Sequence, residues 1–112
     1  MIDIETFKNL ALSFPETVEL PHFEKTSFRI KNKIFATLDT NYLKACLKLT
    51  ETDQSVFCAI DKTIIYPVNN KWGKQGWTFV ELQQVKKTIL KDILSKAYTS
   101  VAPMKMNAKN KL

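Results

Sequence analysis

The sharpest pattern in the chain lies at residues 43–49. Leu43, Ala45, Leu47 and Leu49 are apolar, and Lys44, Cys46 and Lys48 stand between them. A period of two predicts a strand with one buried face and one face carrying two lysines. Upstream, Thr26 to Ile30 and Ile34 to Leu38 are rich in β-branched and aromatic residues and predict two further strands. Lys31-Asn32-Lys33 joins them, since Asn tolerates left-handed backbone. Two registers stay open for this hairpin. A two-residue turn at Lys31-Asn32 pairs Phe28 with Phe35 and Arg29 with Ile34; a three-residue turn sets Arg29 opposite Phe35 and Phe28 opposite Ala36. The twist of a two-residue turn suits a hairpin better, and the choice matters because a one-residue slip exchanges the two faces.

Helical periodicity brackets these strands. Phe7, Leu10, Ala11 and Phe14 recur at i, i+3, i+4 and i+7, predicting a helix from Ile4 to Phe14 with Asp3 as N-cap and Pro15 as the stop. A short extended piece follows at Val18 to Leu20, and Pro21 marks a strand end or sheet edge. Thr50-Glu51-Thr52-Asp53 has the spacing of a capping box. It predicts a helix to Ile60 that buries Val56, Phe57 and Ile60. Ile64 to Val68 and Trp77 to Leu82 predict a second hairpin, whose tip, Asn69 to Gly76, holds both glycines of the chain. The last helix is expected over Gln83 to Val101. Leu82, Val85, Ile89, Ile93 and Ala97 form its inner stripe, joined by Leu90, Leu94 and Tyr98, and Lys86, Lys87, Lys91 and Lys96 lie outside. The order helix, three strands, helix, hairpin, helix predicts an α+β fold, an antiparallel sheet with helices packed on one side. One domain over residues 1–103 and a loose basic tail over 104–112 complete the expectation.

Composition alters this picture in one respect. The 112-residue chain carries a net charge of +6, and the excess is uneven: nine lysines face two acids after residue 70, whereas the first 70 residues are close to neutral. A basic last third suggests an anionic partner. The acidic N-terminus, Met1-Ile-Asp-Ile-Glu5, does not read as a signal peptide, and no apolar run is long enough to span a membrane; a cytoplasmic monomer is expected. Cys46 and Cys58 are expected to be reduced thiols. With one histidine, His22, and no CxxC pair, a zinc site is not expected.

Catalytic patterns are missing. The acids are scattered, Gly73 and Gly76 are not followed by the Lys-Ser/Thr of a phosphate loop, and nothing resembles a nucleophile elbow. His22 reads as a structural residue closing a turn. No catalytic residue, metal ligand or cofactor is assigned. Binding chemistry is better represented. Lys71-Trp72-Gly73-Lys74-Gln75-Gly76-Trp77 places two cations and two indoles on one loop, where lysines can neutralise phosphates and an exposed indole can stack on a base or sugar. Trp77 is read as core, and for Trp72 two readings stay open, an exposed ring and a ring packed over a sheet edge. Arg29, Lys31, Lys33, Lys44 and Lys48 offer a second basic surface, with Lys31 and Lys33 at the tip of a projecting hairpin.

Several segments in order resemble the MmcQ/YjbR family: Pro21-His22-Phe23, Ser27-Phe28-Arg29-Ile30, Lys33-Ile34-Phe35-Ala36, Cys46-Leu47-Lys48-Leu49, Lys71-Trp72-Gly73, Gly76-Trp77, and Ala97-Tyr98 through Val101-Ala102-Pro103. The resemblance covers nearly the whole chain. It implies a frataxin-like (CyaY-like) α+β fold in a small cytoplasmic bacterial protein, and a DNA-binding role through two hairpin wings. This chain departs from many relatives by a charged turn at Lys31-Asn32 and by a long second tip. The expected function is therefore a non-enzymatic DNA-binding module that contacts phosphates through Arg29, Lys31, Lys33, Lys48, Lys71 and Lys74, with Trp72 as a stacker and little sequence preference. The alternative is a protein-interaction or small-ligand module using the Trp72 loop. A frataxin-like metal chaperone would need more than the sparse acids Asp3, Glu5, Glu16, Glu19 and Glu24.

Overall fold

The computed structural model of the chain describes residues 1–102; the expected basic tail lies outside them. The elements are α1 (Ile4–Leu12), β1 (Val18–His22), β2 (Lys25–Ile30), β3 (Lys33–Asp39), β4 (Lys44–Lys48), α2 (Glu51–Cys58), β5 (Ile65–Pro67), α3 (Lys71–Lys74), β6 (Trp77–Glu81) and α4 (Lys87–Val101). All strand pairings are antiparallel, and the sheet order is β1-β2-β3-β4-β6-β5. The α+β architecture matches the sequence expectation, with two additions. The extended piece at Val18 is a true strand paired along β2, with Pro21 on the sheet edge. The second tip, expected as loop, contains the single turn of α3.

The alternation at residues 43–49 holds: Ala45, Leu47 and Leu49 are fully buried, and Lys44, Cys46 and Lys48 point to the other face. The buried face carries the core. Phe28 meets Phe7 of α1 with ring centroids 5.6 Å apart, and Phe35 meets Tyr98 of α4 at 5.5 Å. Tyr98 is fully buried, and its hydroxyl donates to the Pro15 carbonyl at 2.9 Å, so the polar end is satisfied. α4 lies against β3 and β4, α2 against β5, and α1 against α4. The inner stripe of α4 is as expected, except that Leu82 and Val85 are buried in the turn before the helix, which begins at Lys87.

The β2–β3 hairpin combines both registers. Lys31 and Asn32 both have positive φ (52° and 67°), as a two-residue turn requires, and Arg29 faces Ile34. The register then shifts, and Phe28 faces Ala36. Phe35 is the extra residue of a β-bulge, so Phe35 and Ala36 are both buried. In α2 the N-cap is as expected, with Thr50 Oγ1 accepting from the Asp53 amide at 3.1 Å. Its burial is not: Phe57 is buried, but Val56 and Ile60 are exposed. The helix stops at Cys58 and packs chiefly against the short β5, so a single ring suffices to seat it. Among the described residues no helix is long and apolar enough to cross a membrane.

Candidate binding site on the open sheet face

The helices cover one side of the sheet, and the other side keeps its own row of side chains. Cross-strand registers line up Thr37, Cys46, Phe79 and Tyr66 on β3, β4, β6 and β5, and place Lys48 beside Trp77 in the next row. All of these residues are half-buried, because they pack on one another and not under a helix. Between them lies a hollow of about 390 Å³. Its apolar surface is Ile34, Val68, Trp72, Trp77 and Phe79, with Thr37 and Cys46 on the floor and His22 and Lys25 on the β1–β2 side. Among the described residues its lining contains no acid. Burial pushes the Cys46 thiol up to about 11, against a smaller opposing pull from the Lys25 charge, so the floor is neutral at physiological pH.

The wall that carries Trp72 is firmly built. Asn70 caps α3, its Oδ1 accepting from the Trp72 amide at 2.8 Å. Gly73 packs so tightly that an added Cβ would fall 1.9 Å from the Val68 carbonyl oxygen. Gly76 has φ +104°, and its Cβ would fall 1.8 Å from the Leu49 carbonyl oxygen. Gln54 of α2 reaches over with Nε2 to the Gly73 carbonyl (2.9 Å), Thr78 Oγ1 (3.1 Å) and the Trp77 carbonyl (3.3 Å). Lys48 Nζ donates to the Gln75 carbonyl. The result is a rigid loop that leaves Trp72 48 % exposed. A loop so anchored, presenting a large aromatic to solvent, is the usual setting of a binding residue.

The expected site residues divide. The registers bring both hairpin tips, residues 30–33 and 68–77, to the same end of the sheet. Trp72 lines the hollow, and Lys71 Nζ sits 5.5 Å from its ring centroid, within cation–π range. Arg29 and Lys48 are on the open face with neutral partners: Arg29 donates to Ser27 Oγ (2.9 Å) and the Pro21 carbonyl (3.4 Å), and Lys48 to Gln75. Lys31 is paired with Glu16 at 2.9 Å. Lys33 is exposed at the first tip, and Lys74 lines a groove between α2 and α3 that also includes Glu51. Lys44 belongs to the far end of the sheet, where it pairs with Glu81 (3.5 Å) and lies over the Phe79 ring (4.9 Å). Contact with Tyr66, and then the charge of Glu81, hold its pKa above the ordinary lysine value. Among the described residues no acid lies within 4 Å of Lys25, Arg29, Lys33, Lys48, Lys71 or Lys74. Among the described residues the lysines of the last third do not form one patch: those of α4 are exposed on the helix side, away from the hollow.

Sequence reasoning missed Lys25, Ile34, Thr37, Cys46, Val68 and Phe79 as site residues, and Trp77, read as core, is half-buried in the hollow wall. The exposed row of β4 was the available signal, because its non-core alternation names Cys46. His22 does adjoin a turn, as expected, and also lines the hollow. Beside it Phe23 is 93 % exposed, with φ +59° and its ring 4.8 Å from the imidazole. For a bulky residue this is a costly conformation. Cys46 and Cys58 are both free thiols.

Comparison with known proteins agrees with this architecture. No curated protein matches. The crystal structure of Deinococcus radiodurans protein DR2400, with family-model domain DUF419, is similar in fold, with a TM-score of 0.79 and 21% sequence identity over 90% of this chain and 79% of that one. The model of the YjbR family matches residues 12–100. That span runs from the end of α1 nearly to the end of α4 and includes the whole sheet and its open face, so the chain belongs to the YjbR family.

Proposed function

We propose that this protein is a non-enzymatic nucleic-acid-binding module whose partner is DNA, held mainly through phosphates and with little sequence preference. The observation that supports the reading is the convergence of the two hairpin tips at one end of the sheet. Cations with no acid within 4 Å among the described residues stand there on both tips and on the adjoining open face: Lys33, Lys71, Lys74, Arg29 and Lys48. Lys31, already paired with Glu16, contributes less. Polyanion binding by such a set is driven by counterion release and weakens linearly in log–log salt plots, by about 0.9 of slope per duplex phosphate neutralised.

The test is titration of a labelled DNA at several salt concentrations. Affinity should fall steeply with salt, and the Lys71→Glu, Lys74→Glu double variant should weaken binding to all sequences alike and reduce the slope by about one unit per lysine. Binding indifferent to salt, or unchanged in the double variant, would refute the proposal.

A further inference from the structure

We propose that the hollow on the open face is a site for one unpaired nucleotide, its base against the Trp72 indole and its phosphates toward Lys25 on one side and Lys71 on the other. Where the nucleotide belongs to a strand, the inference rests on the nucleic-acid reading above. It goes beyond that reading in naming a pocket, a ring and a strand state.

Three observations carry it. The first is size: about 390 Å³ lies at the small end of the roughly 300–1,000 Å³ typical of small-molecule sites. That suits one flat ring with its sugar. The second is chemistry. The walls are Trp72, Trp77, Phe79, Ile34 and Val68, the floor holds a neutral thiol and a hydroxyl, and no acid is present. A π-surface of this kind accepts any base by stacking. The third is charge placement. The hollow runs from the β1–β2 turn to α3, with Lys25 in its lining at the first end; at the second, Lys71 lines the neighbouring groove and its Nζ lies 5.5 Å from the centroid of the Trp72 ring. Neither has an acid within 4 Å among the described residues. Cations at both ends and rings between match a base flanked by phosphates on its two sides. A base within a duplex cannot enter without leaving its stack, which costs free energy that a single strand does not spend.

The experiment compares three probes at one salt concentration: a deoxynucleoside 5′-monophosphate, a short single strand, and the duplex of the same sequence. Binding is followed by tryptophan fluorescence and by anisotropy of labelled strands, in the wild type and in the Trp72→Ala, Trp72→Phe and Lys25→Gln variants. The single strand should bind at least about tenfold tighter than the duplex and quench the fluorescence. Loss of one stacked base should lower single-strand affinity by about 5- to 150-fold in Trp72→Ala, with recovery in Trp72→Phe and duplex affinity unchanged. Lys25→Gln, at an exposed position, reports the phosphate end without touching the core. Equal affinity for strand and duplex, with both unaffected by Trp72→Ala, would overturn the inference and leave the DNA-binding reading standing. Monophosphate binding as tight as the strand's, lost in Trp72→Ala, would support the pocket, identify its ligand as a free nucleotide and remove the strand reading. Binding of none of the probes would overturn both.

Discussion

Cys46 shows how far a single position can be read before its neighbours are known. Its place in the alternation assigns it to the exposed face of β4, and it is on that face; its environment follows from Thr37, Phe79 and Lys25, which come from three other strands. Desolvation there lifts the thiol pKa from an ordinary 9.0 to about 11. The unfolded chain therefore releases this proton at lower pH than the folded chain. The contribution to stability is intact below about pH 9 and disappears as pH climbs toward 11, by at most about 3 kcal/mol over the full window. Urea denaturation should show wild-type stability falling more steeply than that of Cys46→Ala between pH 8.5 and 10.5; parallel curves would contradict the burial argument. Trp72 was legible as a candidate because Lys71 and Lys74 flank it, its exposure being decided only by the fold. Lys25 and His22 were not, because nothing local to the β1–β2 turn says that it faces the Trp72 loop across the sheet.

At the level of elements, α3 depends on partners distant in sequence. Gln54, half-buried and three residues before Phe57 on α2, supplies the donor that joins Gly73, Trp77 and Thr78. Gln54→Leu leaves those acceptors unpaired at a part-buried site and should cost about 1–3 kcal/mol. The same change should shift Trp72 emission as the loop loosens, which a denaturation curve and an emission spectrum together would reveal. Gly73→Ala should act similarly through the collision with Val68, with a loss of about 1–3 kcal/mol in the same denaturation assay. The overprediction of burial in α2 has a plain cause. Periodicity counts Val56 and Ile60 as inward, but a helix seated on a three-residue strand has little surface to cover them. The hairpin register was undecidable for a related reason: both readings describe part of it, and the bulge that reconciles them has no marker in the residue types.

For the molecule as a whole, the sequence conveyed the layer order but not which surface would be left uncovered. The sequence placed the excess charge in the last third and a second basic surface on the early strands, and folding sends the α4 lysines to one side and Arg29, Lys48 and Lys25 to the other. Of the second set, Lys25 lines the aromatic hollow and Lys48 is paired with Trp77 of its wall. Backbone amide shifts on addition of a short single strand should therefore move on β3, β4, β6 and α3, and stay fixed along the outer face of α4; movement centred on Lys87, Lys91 and Lys96 would place the contact on the wrong side. The bulge at Phe35 bears on this division of surfaces. By adding one residue to β3 it lets two successive side chains, Phe35 and Ala36, both enter the sealed interior while Ile34 keeps its place in the exposed cavity. A chain one residue shorter here would keep Ile34 on the cavity and Ala36 inward but would leave the interior without the Phe35 ring.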